Sequence, residues 1–166
     1  MGLDMNFYKR TYLDPKRQTI AGEGLTYPDI RVQEYTDFNG NKRPARIINK
    51  VKYVVEDAGY MRKANAIHGF IVDRCFGGDE PNCQWITMSK DFVEELRDTC
   101  KFLLAHQNDD NFKELAEQQL PACEGFFFGP TEYDDFYIDC LKLFLEITDD
   151  WELDNDNVDY IYRPWY

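Results

Sequence analysis

The sequence predicts an α+β fold, a single domain in which N-terminal strands and a hairpin pack with three to four C-terminal helices. Three observations carry that expectation. Apolar and polar residues alternate at the N-terminus, Asn39-Gly40 separates two strand-like segments, and helical apolar spacing dominates the second half. Leu3, Met5 and Phe7 alternate with Asp4, Asn6 and Tyr8, the pattern of a half-buried strand. A loop follows through Asp14-Pro15 and Gly22-Glu23-Gly24. The segments from Ile30 to Thr36 and from Lys42 to Ile48 then flank Asn39-Gly40, two residues that tolerate positive φ and so signal a hairpin. Pro44 lacks an N–H and suits an edge strand.

From residue 47 the spacing of Ile47, Val51, Val54, Val55 and Ala58 predicts a helix. After Gly59 the pattern continues through Met61, Ala64, Ile67, Ile71 and Cys75, and Gly77-Gly78 ends it, giving one kinked helix or two. Residues 83–87 read as a short strand leading to Ser89, an N-cap for a helix carrying Phe92, Val93, Leu96, Cys100 and Leu103. A turn or two of helix is expected over residues 111–118. In the last helix Thr131 with Asp134 approximates a capping box, and Phe136, Cys140, Leu143, Phe144 and Ile147 form the apolar stripe. Residues 1–147 make the domain, and residues 148–166 an acidic, aromatic tail packed on it or extending from it.

Composition bounds the function. The chain has 166 residues, with 19 Lys and Arg against 31 Asp and Glu, a formal charge of -12. An aromatic fraction of 16% separates it from disordered acidic chains. The charge argues against a general duplex-binding protein, whose affinity comes from neutralising phosphates. The acidity is uneven, because residues 1–52 are net +4 and residues 53–166 net -16. The start has no basic and apolar leader, Asn6 stands where a myristoylation motif needs Ser or Thr, and no apolar run approaches a membrane span of about 18 residues. A soluble, cytosolic protein is expected. The five cysteines are odd in number and never spaced Cys-x-x-Cys, and they read as reduced and mostly buried.

Two segments carry candidate chemistry. In Tyr60-Met61-Arg62-Lys63-Ala64-Asn65-Ala66-Ile67-His68, helical spacing places Arg62, Asn65 and His68 on one face, with Tyr60 and Lys63 beside it. A guanidinium clamps phosphate or carboxylate, an amide reads a polar edge, and an imidazole donates or stacks. A solvated face and a satisfied core histidine are the plainer alternatives. In Gly125-Phe126-Phe127-Phe128-Gly129-Pro130-Thr131-Glu132-Tyr133-Asp134, a tight aromatic loop leads to a helix N-terminus, where anions are favoured and Phe offers a stacking surface. A buried strand between turns fits the same residues. In the tail, Asp149, Asp150, Glu152, Asp154, Asp156 and Asp159 precede Tyr160-Ile161-Tyr162 and Pro164-Trp165-Tyr166. That run lacks the Gly and Glu of an EF-hand loop, and no metal is expected. It reads either as an acidic linker before a short packed strand or as a docking surface for a basic partner.

The Leu3-Asp4-Met5-x-x-Tyr8 opening, the Tyr60-x-Arg62-Lys63-Ala64-Asn65-Ala66-Ile67-His68 stretch and Gly125-Phe126-Phe127-Phe128-Gly129 with Tyr133-Asp134 resemble an uncharacterised family of small bacteriophage and prophage proteins. The resemblance covers most of residues 1–147. It departs at the tail and at Met61, where a bulky aromatic is expected. It implies a viral accessory protein in the cytoplasm of an infected bacterium, of a class that often counters host defence.

The leading expectation is binding without catalysis and without a cofactor. A small anionic, nucleotide-like ligand would be sequestered by Tyr60, Arg62, Lys63, Asn65, His68, Phe127, Phe128 and Tyr133. One alternative is a direct inhibitor of a host defence enzyme, docking through Asp149, Asp150, Trp151, Asp154, Asp156 and Trp165. The other is a small hydrolase using His68 with Asp134 or Asp135 as orienting carboxylate. Neither duplex nucleic acid nor a membrane is an expected partner, and homo-oligomerisation stays open.

Overall fold

The structure is a computed structural model that describes residues 2–12, 30–32, 35–43, 46–48, 53–77, 81–125 and 127–166. The expected loop through Asp14-Pro15 and Gly22-Glu23-Gly24, the edge role of Pro44, and Val51, Gly78 and Phe126 lie outside them. The observed class is α+β, as the sequence predicts. The elements are β1 (Asp4–Tyr12), β2 (Ile30–Val32), β3 (Tyr35–Thr36), β4 (Lys42–Arg43), β5 (Arg46–Ile48), β6 (Tyr53–Arg62), α1 (Asn65–Phe76), β7 (Ile86–Met88), α2 (Lys90–Ala105), α3 (Phe112–Gln119), α4 (Asp135–Ile147) and β8 (Val158–Trp165). Among the described residues no helix is long and apolar enough to cross a membrane.

The chain forms two compact units, residues 1–9 with 56–166, and residues 10–55. Charge follows the same division. The first unit has ten Lys or Arg against 26 Asp or Glu, net -16, and the second nine against five, net +4.

In the smaller unit β2 pairs antiparallel with β5, and β3 with β4, across Asn39-Gly40. The expected hairpin is therefore present. Gly40 takes φ 79° at its tip. The Asp37 carboxylate closes the turn by accepting from the Asn39 N–H (3.0 Å), the Asn41 N–H (2.9 Å) and Arg43 Nε (2.8 Å). The Asn41 backbone bond leads the effects that hold this carboxyl below its usual range. Nearer the strand ends, the Arg10 guanidinium lies 5.0 Å from the Tyr12 ring and 5.6 Å from the Tyr53 ring.

In the larger unit the strands run in the order β6-β1-β8-β7. β7 and β8 are antiparallel, with Ile86 opposite Tyr162 and Met88 opposite Tyr160. The strand in the acidic tail is thus an inner strand of the sheet. One face of the sheet is core: Leu3, Met5, Phe7, Met61, Ile86, Met88, Tyr160 and Tyr162 are buried. Phe7 lies 5.3 Å from Tyr162, 5.9 Å from Trp151 and 6.2 Å from Phe144 between ring centroids. Burying a side chain of this kind contributes about 2–3 kcal/mol.

The segment 53–62 corrects the helix expected there, because it is β6. Val54 and Val55 lose little χ1 freedom in a strand, and Gly59 would weaken a helix interior. Gly59 has φ 153°, and Ile147 of α4 packs against it where a Cβ would stand. The helix begins only at Asn65 and stops at Gly77, whose left-handed φ of 72° lets its N–H bond the Val72 carbonyl.

α2 matches its expected residues. Ser89 accepts from the Phe92 N–H at 3.3 Å, and Phe92, Val93, Leu96, Cys100 and Leu103 are its buried set. α4 differs. Its cap is Asp134 alone, accepting from the Phe136 and Tyr137 N–H groups, and Thr131 takes no part in it. Its buried residues are Tyr137, Leu141 and Phe144, whereas Phe136 and Leu143 are 39% and 38% exposed. The sequence holds two interleaved apolar sets one residue apart, and tertiary contacts choose between them. Tyr137 wins its inward place by donating its hydroxyl to the Leu120 carbonyl at 2.8 Å and meeting Phe112 edge-on. None of the five cysteines is in a disulfide, but only Cys100 is fully buried and Cys83 is exposed, fewer buried than expected.

Candidate functional site

Leu3 is the hinge point of the candidate site. Its N–H donates to the Phe127 carbonyl at 3.1 Å, and its own carbonyl accepts from the Lys63 N–H at 2.8 Å. One residue of β1 therefore holds the aromatic loop on one side and the β6–α1 junction on the other. The junction turns sharply because Lys63 adopts φ 58°, a conformation costly for a residue with a Cβ. Gly129 makes the turn possible from the loop side. With φ 103° and no side chain, it lets its backbone approach the Lys63 carbonyl, which a Cβ would meet at 2.9 Å.

The two expected segments therefore meet, with roles different from those read off helical spacing. Arg62 ends a strand, so it shares no helix face with Asn65 and His68. Asn65 is buried, and its Nδ2 donates to the Pro130 carbonyl at 2.6 Å. His68 is 2% exposed, with Nδ1 2.7 Å from the Tyr162 hydroxyl and its ring edge-on to Phe128 (4.9 Å) and Tyr166 (5.6 Å). Burial pushes its pKa down to about 4. Phe128 is buried over it, and Tyr133 is half-buried against Tyr137, its hydroxyl accepting from the Ala122 N–H at 3.1 Å. These side chains join the loop to the core. A solvent-borne ligand does not reach His68, Asp134 serves α4 as its cap and Asp135 is exposed in its first turn, so neither of the two carboxylates expected to orient a hydrolase's His68 is seen paired with it.

What faces solvent is a smaller set. Tyr60, Arg62, Lys63 and Phe127 are exposed. Tyr60 donates its hydroxyl to Asp4, and that bond leads the effects that raise its pKa. Arg62 Nε is 3.6 Å from the same carboxylate. Behind them α1 starts at Asn65, with Ala64 at the N-cap position, no side-chain cap and no acidic residue in its first turn. Its N-terminal dipole is left for another negative group. A cleft between this end of α1 and α4, lined by Lys63, Asn65, Pro130, Phe136 and Cys140, encloses about 10 Å³, the space of one water molecule. A whole nucleotide needs a pocket of roughly 300 Å³ or more, so binding here is at the surface.

The acidic segment divides as well. Trp151 belongs to the core: it stacks on Tyr160 at 4.1 Å and its indole N–H donates to the Ala58 carbonyl at 3.3 Å, so it meets no partner. Asp149, Asp150, Asp154 and Asp156 are exposed. Asp154 pairs with Lys90, Asp149 lies 3.6 Å from Arg97, and Glu152 pairs with Lys9. Trp165 is 64% exposed. Among the described residues no cluster of three or more His, Cys, Asp or Glu is placed to hold a metal ion.

Sequence reasoning missed Trp85 and Arg163. Trp85 is 52% exposed, 4.9 Å from Tyr8, with the Arg163 guanidinium 5.2 Å from its ring centroid. The signal lay in the alternation of Tyr160, Tyr162 and Pro164 with Ile161, Arg163 and Trp165, which marks a strand with two distinct faces. Comparison with protein-family models, with curated proteins and with solved structures finds no match to the chain.

Proposed function

We propose that the protein binds, without turning it over, a small anionic, nucleotide-like ligand on the surface formed by Tyr60, Arg62, Lys63 and Phe127. The observation that supports this reading is the Leu3 bridge, which sets two cations and an exposed aromatic beside the uncapped start of α1. Arg62 and Lys63 meet the negative group, helped by the helix dipole, and Tyr60 and Phe127 offer ring faces to a base. Asn65, His68, Phe128 and Tyr133 act as supports. In the infected bacterial cytoplasm that the phage resemblance implies, such binding sequesters a nucleotide signal of the host's defence.

A nucleoside mono- and dinucleotide panel in a thermal-melt assay tests it. A ligand at a hundred times its Kd adds about 2.7 kcal/mol, roughly 5–10 °C for a chain of this size. The gain should disappear in Arg62→Ala and shrink in Lys63→Ala. No gain across the panel, or an undiminished gain in Arg62→Ala, refutes the reading.

One observation favours a second reading, docking of a basic host protein. The Lys90 ammonium is hydrogen-bonded to Asp154, which leads the effects that raise its pKa, with Glu94 and Asp91 adding to it, and Asp150 and Asp156, close to Asp154 in sequence, are exposed. Removing residues 149–166 would delete β8 from the sheet, so the suitable variant is Asp150→Asn with Asp154→Asn and Asp156→Asn. Loss of a salt-sensitive pull-down in that variant, with melting unchanged, supports docking. Retention of the pull-down removes it.

A further inference from the structure

The sheet has a second face, and its occupant is not given by the core. Alternation along β1, β6 and β8 puts Asp4, Asn6, Tyr8, Tyr60, Arg62, Arg163 and Trp165 on the side opposite Met5, Phe7, Met61 and Tyr162. Trp85 follows in register, because the pairing of Ile86 with Tyr162 sets it opposite Arg163. Contacts confirm the shared side. Tyr8 meets Trp85, Arg163 covers it, and Tyr60 and Arg62 both reach Asp4. The Arg163 Nε also donates to the Cys83 carbonyl at 3.2 Å, which fixes the guanidinium over the indole.

Three rings on this face are half-exposed or more: Tyr60, Trp85 and Trp165. They lie on β6, on the approach to β7 and on β8, so they span the sheet, about 14 Å across three strand spacings. Beside these rings its charged groups are Arg62, Arg163 and Asp4, and farther along β6 and β8 the same alternation adds Glu56 and Asp159, so the two guanidiniums are a local feature of a face with no positive excess, on a unit of net charge -16.

We infer that this face is a stacking platform for a short single-stranded nucleic acid, two or three bases lying on Trp85, Trp165 and Tyr60 while Arg62 and Arg163 meet its phosphates. The inference rests on the nucleotide reading above and extends it from one nucleotide to a strand. Base stacking on aromatic rings contributes affinity that owes nothing to net charge, so the acidity of the rest of the unit does not forbid it. A duplex keeps its bases internal and has the denser phosphate charge, so the same face rejects it. A four-stranded sheet with exposed aromatics has the width for two or three unstacked bases.

Fluorescence anisotropy with labelled dT10, U10 and a 10-base-pair duplex, at 50 mM salt and with the full chain, tests the inference. The single strands should bind and the duplex should not. Trp165→Ala and Trp85→Ala should each weaken binding tenfold or more, and Arg62→Ala should weaken it and lower the salt dependence. Melting curves of the same variants verify that they are folded. Trp165, the most exposed of the three rings, is the variant whose folding is least at risk. Equal binding of duplex and single strand, binding unchanged in both Trp variants, or no binding to either single strand overturns it. If mononucleotides still stabilise the protein through Arg62 while neither strand binds, the platform is refuted and the smaller site survives. If strands bind through Trp85 and Trp165 but no mononucleotide acts through Arg62, the platform stands and the reading it began from falls.

Discussion

Along β1 adjacent residues meet opposite fates. Met5 and Phe7 are fully buried, Phe7 against Phe144, Trp151 and Tyr162, while Tyr8, one residue away, packs on a Trp85 that is 52% exposed. Both faces of the sheet are aromatic. The difference lies in what surrounds the rings: on the buried face other side chains fill the space around them, and on the open face guanidiniums and solvent do. Aromatic content alone therefore says little about whether a ring stabilises the fold or recognises a partner. Burial and neighbouring charge decide.

This contrast is testable by substitution. The largest effect is expected for Phe7→Ala, which opens a cavity among three rings and should lower unfolding free energy by about 3–5 kcal/mol in denaturant titrations. A loss below about 1 kcal/mol would mean that the buried face is not packed as described.

Next comes pH. His68 faces the Tyr162 hydroxyl and the Phe128 and Tyr166 rings, and burial pushes its pKa down to about 4 from 6.5. The fold thus favours the neutral ring. This preference is fully present above pH 6.5, and it is lost as pH falls from there to about 4. The cost of protonation amounts to about 3 kcal/mol. Unfolding measured from pH 7 to 4 in wild type and in His68→Gln isolates this contribution from that of the carboxylates. Parallel curves for the two proteins would show that His68 titrates normally and lies nearer to solvent.

A smaller effect, about 1 kcal/mol, is expected when Asp134→Ala removes the cap of α4. The same change in Thr131 should leave stability unaltered, which separates the observed cap from the capping box expected from sequence. Smallest of all is Trp165→Ala on the open face, which should change stability by less than about 0.5 kcal/mol. A larger loss would move Trp165 from the open face to the core.

Much of the fold was legible because its periodicities are strict. The Leu3-Met5-Phe7 alternation, the Asn39-Gly40 turn and the Ser89-capped helix each have one reading, and the structure contains each. Segment 53–62 had two. Val54, Val55 and Ala58 satisfy a helical spacing as well as a strand, and only pairing with β1 selects the latter. In α4 the interleaved sets around Phe136 and Tyr137 were separable only by a long-range bond, that of Tyr137 to Leu120. The inner strand β8 was obscured by the acidic run before it, which gives the tail the composition of a linker. The meeting of the junction with the aromatic loop was visible as a pair of unusual motifs. Their division of roles was not, because Asn65 and His68 are the residue types that bind ligands and equally the types that a core accepts once each has a hydrogen-bond partner.

We propose that nucleotides are held at the surface around Leu3, Lys63 and Phe127, with the buried polar residues behind them as supports. Backbone amide NMR during titration with a mononucleotide and with dT10 tests it most directly. The account predicts the largest shift changes at Leu3, Lys63, Ala64 and Phe127, spreading to Trp85 and Trp165 with dT10 alone. Changes confined to α2 and residues 149–156, or none in either titration, would contradict it.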